Sequence, residues 1–117
     1  MSHAEAYLRF VSSEGRKLRE LNPQGDELGL VPSKALEALN LLQGCPVAVL
    51  GGDVLSDSSG KLAYIHEDWY CERLPGEVPM DFARRSQINA RDFITGLEKR
   101  GDRSLFVVLV HSELGPV

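Results

Sequence analysis

Pro46-Val47-Ala48-Val49-Leu50-Gly51-Gly52-Asp53 decides the fold of this chain. It is a short unbroken apolar run, opened by a proline and closed by two glycines and a carboxylate. That pattern reads as a central strand buried on both faces. The glycines invite a second reading, a turn that cradles phosphate. They lack the Lys and Ser/Thr of a phosphate-binding loop, they do not form a G-x-G-x-x-G that opens a helix, and Asp53 would repel phosphate. Gly51 and Gly52 therefore read as structural, permitting a bulge or the close approach of another backbone.

Outward from this strand the elements fall into order. Asp53 to Lys61 is polar, and Asp57-Ser58-Ser59-Gly60 supplies turn chemistry. Leu62 to His66 reads as a strand hairpinned to the first, with its continuation through Trp69-Tyr70-Cys71 left open. Strand alternation there sends Trp69 into the core and leaves Tyr70 the more accessible. Leu74 to Pro79 is a loop rich in Pro and Gly. Met80 to Arg100 is the longest periodic element: Phe82, Ala83, Ser86, Ala90, Phe93, Ile94 and Leu97 fall within about 120° of a helical wheel. Asp81 is expected to cap its start, Lys99 and Arg100 to complement its C-terminal dipole, and Gly101 to stop it. Ile88 falls on the far face between Arg84 and Arg91. Leu105 to Val110 is the last strand.

Before the central run, Ser33 to Gln43 reads as a helix, with Pro32 in its first turn and Gly44 just past its end. Gly15 to Asp26 holds two anchors, Leu18 and Leu21, and the turn signal Asn22-Pro23-Gln24-Gly25. Ala4 to Val11 has helical spacing. The order helix, helix, strand, strand, helix, strand predicts an α+β domain. Its sheet is small, mainly antiparallel and three-stranded, with possible order 2-1-3, packed with two to three helices. The 117 residues read as a single domain.

Composition excludes several classes. No apolar stretch approaches the roughly 20 residues that a membrane span needs. Met1-Ser2-His3-Ala4-Glu5 has no basic region followed by an apolar core, so no secretion signal is read. Cys45 and Cys71 fit no metal-ligand spacing and read as free thiols of a reducing, cytoplasmic protein. The formal net charge is −4, unevenly spread. Between Gly51 and Asp81, seven acids (Asp53, Asp57, Glu67, Asp68, Glu72, Glu77 and Asp81) face only Lys61 and Arg73. Such a local negative field argues against nucleic acid, whose phosphates need clustered Lys and Arg. It suits docking on a basic protein surface, or it serves as a solvated face.

Candidate chemistry is sparse. Cys71 with a histidine and Asp53 could suggest a thiol nucleophile, which requires an imidazole within hydrogen-bond reach of sulfur. His66, five residues away on a continuous strand, points to the opposite face, and His111 closes a separate strand. His66, Glu67, Asp68 and Cys71 mix hard and soft ligands without a metal-site spacing. No catalytic, cofactor-binding or metal residue is assigned. Trp69 and Tyr70 beside acids are typical both of interfaces and of cores.

Taken in sequence, the motifs carry a resemblance. Gly15-x-x-Leu18-x-x-Leu21, Glu27-Leu28-Gly29-Leu30, the helix from Ala35 to Leu42, Pro46 to Val54, and Trp69-Tyr70-Cys71-Glu72 occur in order. This arrangement resembles the bacterial immunity protein 40 family, found beside polymorphic toxin genes. The resemblance runs from about Gly15 to Val110; the first dozen residues and Pro75-Gly76-Glu77-Val78-Pro79 depart from it. It implies a non-enzymatic inhibitor that binds a cognate toxin, without supplying binding residues. The candidate partner-binding residues, Asp53, Glu67, Asp68, Tyr70, Glu72, Glu77 and Asp81, come from the charge count alone, and are expected to cover the basic cleft of a nuclease-type toxin. Two other classes stay open: a small hydrolase using Cys71, and an adaptor that self-associates through a strand edge or Ile88.

Overall fold

The computed structural model of the chain describes residues 3–112; Met1 and Ser2, part of the stretch read for a secretion signal, lie outside them. In chain order the elements are α1 (His3–Glu14), β1 (Arg16–Lys17), β2 (Leu28–Gly29), α2 (Pro32–Leu42), β3 (Val49–Ser56), β4 (Ala63–Tyr64), β5 (Trp69–Tyr70), α3 (Pro79–Glu98) and β6 (Leu105–His111). The architecture is α+β, with three helices and antiparallel sheets of two and four strands.

β3 is the axis of the larger sheet. β6 pairs along nearly its whole length, from Val49↔His111 to Ser56↔Leu105. On its other edge lie β4, at Leu55 and Ser56, and β5, at Gly51 and Gly52. The antiparallel pairing of the last strand with the first is as expected, but the three-stranded order 2-1-3 is not matched as such. The expected second strand breaks into β4 and β5, because His66 between them takes a left-handed φ of 60°. A further two-stranded hairpin, β1–β2, forms where only a turn was expected, and Leu30 bridges it to Val107.

The decisive stretch also departs from its reading. The glycines lie inside β3 rather than at its end, and the strand continues through Asp53 to Ser56. A register shift between Val49 and Gly51 leaves Leu50 as the extra residue of a bulge. Close approach is then the reason for glycine at both positions. A Cβ on Gly51 would sit 2.2 Å from the Trp69 carbonyl oxygen, and one on Gly52 2.4 Å from the Trp69 ring. Trp69 thus lies across Gly52 and stacks on Phe93 of α3, with ring centroids 4.6 Å apart.

Paired residues of antiparallel strands share a face, so the register sorts the sheet. Val49, Val54, Trp69, Leu105 and Val107 point to one side, where Ala35, Leu39 and Leu42 of α2 and Ala90, Ile94 and Leu97 of α3 complete the main core. α2 starts on Pro32 and ends before Gly44, whose φ of 83° is the left-handed conformation that closes a helix. α3 starts on Pro79 with Val78 at its cap and no side-chain cap bond, so Asp81 lies in the first turn without the capping role expected of it. On the opposite side of the sheet a smaller cluster, Leu18, Leu55, Leu62 and Val108, covers one end. Leu21 does not anchor as expected and is exposed.

Candidate partner-binding face

The part of the sheet covered by neither the helices nor the Leu18 cluster is an open face. Gly51, paired with both Tyr70 and Val110, and Leu55, paired with Tyr64, place these side chains on the same side as Asp53. Tyr70 is 74% exposed, and Tyr64 and Val110 are each 45% exposed. Trp69 is buried, so the neighbouring aromatics divide between core and surface as alternation predicts.

The gap between β4 and β5 opens a cleft of about 250 Å³ lined by Asp53, Tyr64, His66, Glu67 and Asp68. Burial, followed by the charges of Glu27 and Asp53, raises the Tyr64 phenol above its ordinary value. Arg100, from the turn after α3, donates from Nη1 to Glu67 Oε2 at 2.8 Å and from Nη2 to Oε1. This two-pronged pair holds the Glu67 carboxyl below its usual range. The Asp53 and Asp68 carboxylates make no hydrogen bond or ion pair among the described residues.

The remaining candidates gather around Arg85. Its Nε donates to Glu77 Oε2 and its Nη2 to Glu77 Oε1, both at 2.8 Å, while the Leu74 N–H reaches the same carboxylate at 3.0 Å. Arg85, then the Leu74 N–H, pull the Glu77 carboxyl down to about 2. Arg85 also donates to the Glu72 carbonyl at 2.6 Å and to Cys71 Sγ at 3.3 Å. Glu77 is therefore a clasp that fastens the loop after β5 to α3. The Glu72 and Asp81 carboxylates make no hydrogen bond or ion pair among the described residues. The acidic segment thus forms two neighbourhoods: the open face and cleft, and a mixed-charge patch around Arg85.

Sequence reasoning missed Tyr64, Val110 and Glu27. Alternation was no guide to Tyr64, which shares a face with buried Leu62 two residues earlier and is exposed only because the Leu18 cluster does not reach it. Val110 looks like core in a continuous apolar run, and only its pairing with Gly51 turns it outward. The Cys71 thiol meets Arg85 and packs with Ala48 and Phe82, while the His111 ring packs edge-on against Tyr7. Among the described residues no group of three or more His, Cys, Asp or Glu side chains could hold a metal ion. No helix among them is long and apolar enough to cross a membrane.

Residues 17–111 match the family model described as immunity protein 40. The chain belongs to the immunity protein 40 family. No match was found among curated proteins or among solved structures. The family match covers α2, the whole larger sheet and α3, and it runs through the Pro75–Pro79 loop that the sequence reading set apart. For an immunity protein 40 family member the partner is, in general terms, a cognate toxin.

Proposed function

We propose that this immunity protein acts in the cytoplasm, neutralising a polymorphic toxin by stoichiometric binding through the open face of its sheet. Tyr70 is the anchor, Asp53, Asp68 and Glu72 form its acidic frame, and Glu67, Glu77 and Asp81 lie at the periphery. The observation that carries this reading is Tyr70 itself, a large amphipathic ring 74% exposed on a paired strand beside free carboxylates. An exposed aromatic ring that loses little conformational freedom on binding is the commonest kind of interface hot spot. The charge around it suits a basic cleft, as expected of a nuclease-type toxin. Inhibition by occlusion needs no catalytic group on the immunity protein.

The test uses the cognate toxin domain, expected to be encoded beside this gene. Tyr70→Ala is expected to weaken its binding by about 2 kcal/mol or more, roughly thirtyfold. Ile88→Ala, on the exposed side of α3, should leave binding unchanged. Equal affinities for wild type, Tyr70→Ala and Asp68→Lys would remove the open face as the toxin-binding surface.

A further inference from the structure

A second feature lies at the free edge of β6. Val107 exchanges both backbone hydrogen bonds with Leu30, at 2.7 and 2.8 Å, so its N–H and C=O point away from β3. Antiparallel alternation turns the backbones of Leu109 and His111 the same way. The strand beside β6 does not follow them. Beyond Leu30 the chain leans toward β1, where the Leu18 N–H bonds the Glu27 carbonyl at 3.2 Å. The two strands splay apart and leave a groove of about 360 Å³, with Tyr7, Leu8 and Val11 of α1 along its side.

Two properties of this groove indicate what fits it. Its charged lining groups are Asp26 and Glu27; no Lys or Arg lines it, and neither carboxylate makes a hydrogen bond or ion pair among the described residues. Tyr7 is 2% exposed, and its hydroxyl makes no hydrogen bond among the described residues. Tyr7 lines the groove with that hydroxyl unpaired, so an incoming polar group can take it up. Val110 both lines the groove and stands on the open face, so the two adjoin.

We propose that this groove is a strand-addition site, taking an extended toxin segment of alternating basic and apolar residues that pairs with the backbones of Leu109 and His111. The segment's N–H and C=O groups continue the sheet from where β2 leaves it, its apolar side chains lie against Leu8 and Val11, and its cations meet Asp26 and Glu27. This rests on the reading of the chain as a toxin inhibitor, and it adds a second point of attachment that fixes the toxin's orientation on the open face.

The probe is the hexapeptide acetyl-Lys-Val-Lys-Val-Lys-Val-amide, titrated into the isotope-labelled full chain with amide shifts and hydrogen exchange as readouts. In the free chain the Leu109 and His111 amides should exchange faster than those of Val108 and Val110, which face β3. The peptide should shift and protect Leu109 and His111. His111→Pro removes one outward N–H and should abolish this response. Tyr7→Phe, and separately the double variant Asp26→Lys with Glu27→Lys, should weaken it, the latter by about tenfold; these keep the test valid even if His111→Pro fails to fold. Protection of both amides in the free chain would mean that its own tail, or a second copy if the protein sediments as a dimer, fills the groove, and would overturn the proposal. So would shifts confined to Tyr70 and Asp53, or equal binding of acetyl-Glu-Val-Glu-Val-Glu-Val-amide. Loss of toxin binding in Tyr70→Ala with no response at Leu109 and His111 would remove the groove and keep the open face; the reverse pattern would remove the face alone.

Discussion

Arg85 shows how much one side chain can decide. Its guanidinium reaches the Glu77 carboxylate, the Glu72 carbonyl and the Cys71 sulfur, and its Cζ lies 5.6 Å from the Phe82 ring centroid. A rigid planar donor can satisfy several acceptors at once where a lysine could not. The pair stabilises the fold only while Glu77 is ionised. Its carboxyl titrates at about 2 in the folded chain against an ordinary value of 4.5, so the stabilisation is whole above pH 4.5 and is lost as pH falls through about 2. Wild type should therefore melt above Glu77→Gln at about pH 7, and calorimetry at successively lower pH should show the two melting temperatures converging. A gap that widens on acidification would mean that Glu77 is not held as the clasp geometry requires. Glu67, held by Arg100, and Asp102, held by Ser104, are lowered in the same direction and add to the loss of stability in acid.

The elements meet through two buried polar side chains of α3. Ser86 Oγ accepts from the Val49 N–H and donates to the Ala83 carbonyl, both at 2.9 Å. Gln87 Nε2 donates to the carbonyls of Cys45 and Val47 at 3.2 and 2.8 Å. The Gln87 bonds serve the irregular approach to β3 after α2, and the Ser86 bond holds the N–H of the first residue of β3. Gln87→Met keeps the volume but strands two carbonyls beside the core, so urea unfolding should show a loss of about 1–3 kcal/mol. An unchanged midpoint would mean that water serves those carbonyls instead. The helices were legible in the sequence because periodicity, proline and glycine agree on α2 and α3. The strands were less so. Polar Asp53 and Ser56 hid the second half of β3, whose pairing with β6 is non-local, and nothing near His66 announced the left-handed residue that divides β4 from β5. Gly51 and Gly52 were legible as sites of a bulge or close approach, but the ring that needs the space, Trp69, lies far along the chain.

At the scale of the whole molecule the helices cover one side of the sheet and the Leu18 cluster covers part of the other, so function is left the remainder. The acidic bias of Gly51 to Asp81 was legible by counting; which acids remain free was not. Arg16 takes Asp57, Arg85 takes Glu77 and Arg100 takes Glu67, and two of these three arginines lie far from their partners in sequence. Four of the seven acids, Asp53, Asp68, Glu72 and Asp81, are left to act on a partner at a distance. Exposed charges of this kind steer encounter more than they hold a complex. The triple variant Asp53→Asn, Asp68→Asn, Glu72→Gln should therefore slow association with the toxin by about tenfold at low salt and leave dissociation nearly unchanged. The difference should fade with added salt, because screening shortens the reach of the field from about 30 Å at 0.01 M to about 3 Å at 1 M. Tyr70→Ala should do the opposite, raising the dissociation rate at every salt concentration. Stopped-flow association and dissociation measured on both variants separate steering from anchoring, and an association rate at low salt that the triple variant does not change would leave the acids as a solvated surface only.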